Sequence, residues 1–461
     1  MNNLDILNQT TALAREFLES LPARRVGASA DVESLRRAFG GSLPDDGEDP
    51  ARVIAELARK SDPGLVASAG PRYFGFVVGG SHPVAVAADW LTSAWDQNVG
   101  LYVLSPAAAV IEEVTAAWIL DVLGLPPTAS VGFVTGGHMA NFVGIAAGRH
   151  DVLRRVGWNV EEQGLTGAPP INVIVGEECH ISIKAVLGYL GLGRNNVKTV
   201  PADDQGRMRV HDLAGILRAC HGPTIVCAQG GDVDTGAFDP LDAIITMTHE
   251  HGGWVHIDGA FGLWASASPQ LRHLVKGLEK ADSWGTDGHK WLNVPYDSGI
   301  GIVANSAAHQ YSMTVSAAYL EQTDGSVRDA FNWVPEGSRR GRAAPIYAVF
   351  RALGRRGLAD LVEGSCRLAQ RFASQLAEHP GIEILNEVVL NQVLVRFNPP
   401  QGGSADEYTR NVVSRVQADG TCWLSGTTWK GKAAMRISIS GWSTTDDDVD
   451  KSVAAIIRAC V

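Results

Sequence analysis

TIVCAQGGDVDTGAFDPLDAIITMTHEHGGWVHIDGAFG, residues 224–262, contains one complete repeat of an alternating pattern. Residues 224–228 form a short, almost uniformly apolar run, residues 239–251 have helical spacing, and residues 254–257 are a second apolar run entering a Gly-rich turn. A strand without polar alternation is buried on both faces, which is the mark of a mainly parallel sheet covered by helices. The same alternation recurs upstream. Residues 131–134 precede a Gly pair and a helical stretch at 138–155, and residues 171–175 precede another at 180–190. The large unit is therefore expected to be α/β with a mainly parallel sheet, and its ligand to lie at the carboxyl ends of the strands.

Beyond this unit the pattern changes. Residues 4–21 repeat leucines and a phenylalanine at helical spacing and stop at Pro22, and residues 40–50 (GGSLPDDGEDP) read as an acidic loop. From Arg339 a long helical stretch to residue 379 leads to strands at 389–397 and 435–440 and to a closing helix that Thr444 or Thr445 caps, with Asp446, Asp447 and Asp448 at its positive end. The expected division is an N-terminal helical arm over 1–65, a large domain over 66–338 and a small C-terminal α+β domain over 339–461.

Composition narrows the function. With 461 residues, 45% hydrophobic and 19% charged, the chain has ordinary globular usage. Its 50 acidic against 39 basic residues argue against nucleic acid or an anionic membrane as a partner. No apolar run reaches the roughly 18 residues of a membrane span, and no basic start precedes an apolar run, so a cytoplasmic location is expected. The cysteines at 179, 220, 227, 366, 422 and 460 form no CxxC pair, which suits reduced thiols better than disulfides or a metal site.

Three features at predicted strand ends carry chemistry. Thr135-Gly136-Gly137-His138 joins a strand to a helix, where bare backbone and a helix N-terminus can receive a phosphate. Asp258 directly follows a buried strand and precedes small residues, so it can meet a flat basic group; read alone it fits an N-cap or turn aspartate better. Lys290 stands in DGHKW, in a chain with nine lysines and thirty arginines, where it can act as a nucleophile toward an aldehyde. A phosphate cradle, a carboxylate for a ring nitrogen and an imine-forming lysine together are what pyridoxal phosphate requires.

The run HIDGAFG, followed 32 residues later by GHKW, resembles the group II pyridoxal-phosphate-dependent amino-acid decarboxylases. Ser105-Pro106 before a helix, TGGHMAN, GEECHISIKA, CAQGGDVDTGAFDP and SRRGRAA extend the resemblance in order. It implies a fold-type-I enzyme of the aspartate aminotransferase superfamily, a homodimer with shared active sites, and a small amino-acid substrate. It also implies residue roles. Lys290 holds the cofactor as an aldimine, Asp258 pairs with the ring nitrogen, Ala260 and His180 lie against the two ring faces, and Gly137, His138 and His289 hold the phosphate. Lys290, His180 and Asp258 are thus the expected catalytic residues, and no metal is expected.

The chain departs from that pattern in places. Relatives carry a Tyr in the loop before the SRR run, whereas residues 321–337 offer only Phe331 and Trp333; Tyr319 or His180 are the other candidates for the acid that returns a proton to Cα. Phe in the tyrosine's place goes, in the family, with aldehyde formation. Asp232 and Asp234 stand where relatives tend to have Asn or Thr, and Asp287 stands at a place often held by Asn, where a carboxylate beside phosphate is unfavourable unless it points away. Phe76, Val77, Leu101 and Tyr102 map to the side-chain pocket, the last two from the partner subunit, and favour an aromatic or bulky apolar L-amino acid. Arg436 could bind an α-carboxylate, which would favour amino transfer. The alternatives are an aldehyde synthase or aminotransferase, a dinucleotide-dependent oxidoreductase, which lacks its GxGxxG, and a zinc hydrolase using His249, His251 and His256.

Overall fold

A computed structural model describes residues 3–314 and 327–460. Three helices, α1 (Asn3–Ser20), α2 (Val32–Phe39) and α3 (Pro50–Ser61), form the N-terminal arm, and α4 (Pro83–Trp95) and α5 (Pro106–Leu123) lead into the large sheet. The strands of that sheet are β1 (Ser130–Val134), β2 (Asn172–Gly176), β3 (Val197–Val200), β4 (Thr224–Gln229), β5 (Trp254–Asp258), β6 (Ser283–Asp287) and β7 (Gly299–Val303). The helices between them are α6 (Gly137–Arg154), α7 (Val160–Gln163), α8 (Ile181–Tyr189), α9 (Val210–Ala219) and α10 (Leu241–Glu250), with α11 (Ser306–Met313) after β7.

The strand order is β1-β7-β6-β5-β4-β2-β3. All pairings are parallel except those of β7, which runs against both β1 and β6. The central strands β4, β5 and β6, and β1 at one edge, are buried at every position, as their lack of alternation requires. Helices cover both faces, and Trp254, Trp264, Trp284 and Trp291 are among the largest side chains sealed within. Because β7 is reversed, its first residue, Gly299, lies at the end of the sheet where the parallel strands finish. The backbone of Gly136 passes directly over Gly299, at a separation that leaves no room for a Cβ. This close crossing brings the turn after β1 next to the end of β6.

The second unit begins with α12 (Ala343–Ala377), which is broken by a non-helical Gly354. It continues through β8 (Ile382–Ile384), β9 (Gln392–Phe397), α13 (Ala405–Asp419), β10 (Ser425–Trp429), β11 (Lys432–Ser438) and α14 (Asp446–Ala459). These strands form an antiparallel sheet in the order β10-β11-β9-β8 with its own apolar cluster of Phe372, Val395, Met435 and Ile456 among others. Of the two predicted caps, Thr445 is the one used, in a reciprocal capping box with Asp448. The six cysteines are all free thiols. Among the described residues no helix is long and apolar enough to cross a membrane.

Candidate active site

Asp258 closes β5 opposite Gly285 of the neighbouring β6, and Asp287 closes β6 two residues further on, so both carboxylates lie at the carboxyl end of the sheet. Both residues are buried, with 6% and 1% of their surface exposed. The turn after β5 is tied to β6 by hydrogen bonds from Gly259 N–H to Gly285 O (2.9 Å) and from Asp287 N–H to Ala260 O (2.9 Å). Ala260 is thereby fixed between the two aspartates.

Asp258 is held by neutral donors. Asn141 Nδ2 donates to its Oδ2 at 3.0 Å, and the Ala260 N–H reaches Oδ1 at 3.3 Å. Behind Asn141 stands His256, two residues before Asp258 and on the same strand face. His256 Nε2 lies 3.0 Å from Asn141 Oδ1, and its Nδ1 lies 2.9 Å from Ser283 Oγ. Since Asn141 Oδ1 can only accept, His256 carries its proton on Nε2 and accepts at Nδ1. Complete burial pushes His256 down to about 3, so it stays neutral and the chain of donors points toward Asp258. Asn141 and Ser283 were not anticipated from sequence. The available signal for Asn141 was its place one helical turn after Gly137, on the face that meets the strand ends.

Asp287 has a different company. Its Oδ1 accepts the Gly137 N–H at the N-terminus of α6 and lies 3.2 Å from His289 Nε2, while Oδ2 lies 3.0 Å from Lys290 Nζ. A Cβ on residue 137 would come within 2.7 Å of Asp287 Oδ2, so this approach requires glycine. His289 Nδ1 accepts the Ser298 N–H at 3.2 Å, which places the ring proton on Nε2 facing Asp287, and the ring stacks on Tyr296 at 4.2 Å. Burial holds His289 below the usual imidazole range. The expectation that this carboxylate would have to point away is therefore corrected. It points inward, and a cation, a histidine N–H and a helix N-terminus offset the cost of burying it.

His180 does two things. As N-cap of α8 its Nδ1 accepts the Ser182 N–H at 3.3 Å and lies 2.7 Å from Ser182 Oγ, which leaves Nε2 uncommitted. Burial lowers its pKa, and the charges of Asp258, Lys290, Arg436 and Asp287 all act on it, so it sits in the same cluster. His138 opens α6 exposed to solvent and stacks on Tyr189 at 5.4 Å. Arg436 on β11 reaches across from the second sheet, with Nη1 3.3 Å from Asp234 Oδ1, and its buried Nε has no hydrogen-bond partner. Asp232 turns into its own loop, taking the N–H groups of Asp234 and Thr235 at 2.9 and 2.8 Å, and burial raises it to about 7.

The segment leading to α4 runs against the lysine. Gly80 N–H donates to Asn293 Oδ1 and His82 N–H to Asn293 O, each at 2.8 Å, and Gly79 abuts the Lys290 carbonyl. Just before it, Phe76 and Val77 take positive φ angles of 54° and 56° in succession, a costly conformation for a bulky and a β-branched residue. This turns Phe76 outward, 56% exposed, while Val77 is buried.

Other candidates lie elsewhere. Trp333 packs edge-on to His309, which bonds Ser130 at the start of β1, so it is at the opposite end of the sheet from Lys290. Phe331 is buried, with its N–H on Gly100 O. Tyr319 lies outside the described residues, as do residues 321–326. His249 pairs with Asp282 at 2.9 Å, His251 is exposed and His256 is sealed in the Asn141 network, so the three do not converge. Among the described residues no group of three or more His, Cys, Asp or Glu side chains is placed to hold a metal.

Comparison with known proteins places the chain in a family. The chain is 26% identical over 450 residues to an aromatic-L-amino-acid decarboxylase of Bacillus atrophaeus, covering 95% of this chain and 92% of that one. It is 28% identical over 378 residues to a cysteine sulfinic acid decarboxylase of Rattus norvegicus, covering 80% and 76%. Its fold superposes on a crystal structure of Oryza sativa TDC with PLP and tryptamine with a TM-score of 0.92 at 22% identity, over 99% and 97% of the two chains. Residues 33–398 match the model of the pyridoxal-dependent decarboxylase conserved domain, and the chain belongs to that family of PLP-dependent carboxy-lyases.

Proposed function

We propose that the chain decarboxylates an aromatic or bulky apolar L-amino acid to its amine, with Lys290 as the residue that bonds the cofactor. The observation that carries this reading is the convergence of Lys290 Nζ, the Gly137 N–H and the Asp258 carboxylate at neighbouring strand ends. The donor set fits pyridoxal phosphate. A carboxylate already sits on the N-terminus of α6 as a stand-in oxyanion, and Asp258, engaged only by neutral donors, can pair with a protonated ring nitrogen. When bound, the cofactor supplies a conjugated ring that withdraws the electrons left by the departing carboxyl group.

The chain's own residues do the rest. Gly137 and His138 offer backbone N–H groups and His289 a side-chain N–H to the phosphate. Ala260, fixed between β5 and β6, and His180 are the residues that would flank the cofactor ring. His180, with Nδ1 bound to the helix cap, has Nε2 available to return a proton to Cα after carbon dioxide leaves. Asn141, His256 and Ser283 position Asp258.

Substrate class follows from charge and surface. Arg436, which reaches the cluster from the second sheet, is engaged by Asp234, so an acidic side chain gains little there and an α-carboxylate is not clamped by it. Phe76, three residues before the glycine that abuts the Lys290 carbonyl, offers an exposed aromatic face and meets Trp423 at 5.5 Å. The name of the Bacillus relative supports the aromatic reading; that of the rat relative supports the acidic one.

The working unit is proposed to be a homodimer of chains divided at about residues 65 and 338. Around α4 and α5, Trp90, Leu91, Trp95, Val103 and Leu104 are all 42% exposed or more, next to an apolar cavity of about 340 Å³ that Trp95, Val99 and Ile111 help line. A face of this kind buries itself against a second copy, and Tyr102 lies at its edge. Purified protein loaded with PLP should release carbon dioxide and the corresponding amine from L-tryptophan, L-tyrosine or L-phenylalanine in preference to L-glutamate or cysteine sulfinate. Aldehyde with hydrogen peroxide, or a keto acid without carbon dioxide, would replace this reading by the aldehyde-synthase or aminotransferase one.

A further inference from the structure

Asp287 is a buried charged group in the site to which the proposed reaction gives no role. Both of its oxygens are engaged: Oδ1 by the Gly137 N–H and His289 Nε2, Oδ2 by Lys290 Nζ. At 1% exposure it has almost no water to screen it. Its partners, a helix N-terminus, a histidine N–H and the reactive ammonium, are the groups that a phosphate ester and an aldehyde approach when they enter this site. A carboxylate and a phosphate dianion cannot both rest on the same donors without strong repulsion.

We propose that Asp287 is a resident counter-anion that assembles the cradle before the cofactor arrives, so that PLP loads by anion exchange. In the cofactor-free protein the carboxylate holds α6, His289 and Lys290 in register. On loading, phosphate takes the Gly137 N–H from Asp287, and Lys290 leaves its ion pair. The chain thereby gives up some cofactor affinity for a site that stays ordered while empty. This inference rests on the PLP reading above.

The test is Asp287→Asn, with Asp287→Ala as a second variant, since neither adds bulk beside Gly137. PLP affinity is read by visible absorbance titration of cofactor-free protein, and melting temperature is read without and with PLP. The proposal predicts that the variants bind PLP at least about tenfold more tightly, because a like charge a few ångströms from the phosphate is gone. It also predicts that they melt lower than wild type without PLP, because Lys290 loses its counter-ion and His289 an anionic hydrogen-bond acceptor. A residue that merely supported the fold would lower both affinity and stability. Variants that fold only when PLP is supplied would support the proposal; affinity that is unchanged or weaker would overturn it. Failure of the wild-type protein to bind PLP would instead sink the cofactor reading itself.

Discussion

The ends of β5 and β6 are adjacent and each carries a buried aspartate, yet the two sites are built in opposite ways. Asp258 receives hydrogen bonds from neutral groups only, through a line from Ser283 and His256 to Asn141. Asp287 is surrounded by Lys290, His289 and the N-terminus of α6. A buried charge that has no counter-ion is reserved for a cation that comes from outside, whereas one that is already neutralised serves the protein's own order. The difference supports the proposed roles, Asp258 for the ring nitrogen and Asp287 for the cradle.

Substitutions can break this contrast at several depths. Asp258→Asn removes the reserved charge, and kcat/KM should fall by on the order of 10²- to 10³-fold while PLP remains bound, as steady-state kinetics and absorbance would establish. If Asp287→Asn gave the same loss, the two carboxylates would be equivalent and the contrast wrong. One step further out, Asn141→Ala cuts the support of Asp258, and a loss of roughly tenfold in kcat is expected with KM little changed.

Asp234 extends the comparison to the second sheet, because it too is an engaged carboxylate, paired with Arg436. Asp234→Asn should free that arginine and raise the kcat/KM ratio for L-glutamate over L-phenylalanine by about tenfold, equivalent to about 1.4 kcal/mol. An unchanged ratio would mean that Arg436 does not face the substrate side chain.

The smallest effect concerns stability. Buried His256 titrates at about 3 in the folded chain, against an ordinary value near 6.5 when unfolded. Between these values the unfolded chain takes up a proton that the folded chain refuses, so stability falls as pH drops from about 6.5 toward 3 and is unaffected above. Buried His309, also at about 3, acts in the same direction. His256→Gln should flatten part of that slope in urea midpoints measured across the window; a slope identical to wild type would contradict the assignment of His256 as a neutral member of the network.

Much of the fold was legible in the sequence because β1, β2, β4 and β5 are short apolar runs followed by turns and helices, a pattern few other folds produce. The reversed strand β7 was not. Gly299–Val303 is apolar like its neighbours, and an apolar run carries no sign of its direction. Strand β3 was missed because Lys198 and Thr199 are exposed at the sheet edge. In the site, the placement of Asp258 and Lys290 at strand ends could be read from the sequence. Asn141 could not, since its partner is 117 residues away and only the fold brings them together. The sense of Asp287 was also hidden: sequence gives its place but not whether its oxygens face the cradle.

The central claim is that Lys290 is the nucleophile to which the cofactor is joined. Borohydride reduction of the PLP-loaded protein, followed by proteolysis and mass spectrometry of the peptides, tests it most directly. A single reduced pyridoxyl group on Lys290, absent from Lys290→Ala, is the predicted result. Label on another lysine in the wild-type protein, or none at all, would contradict the account.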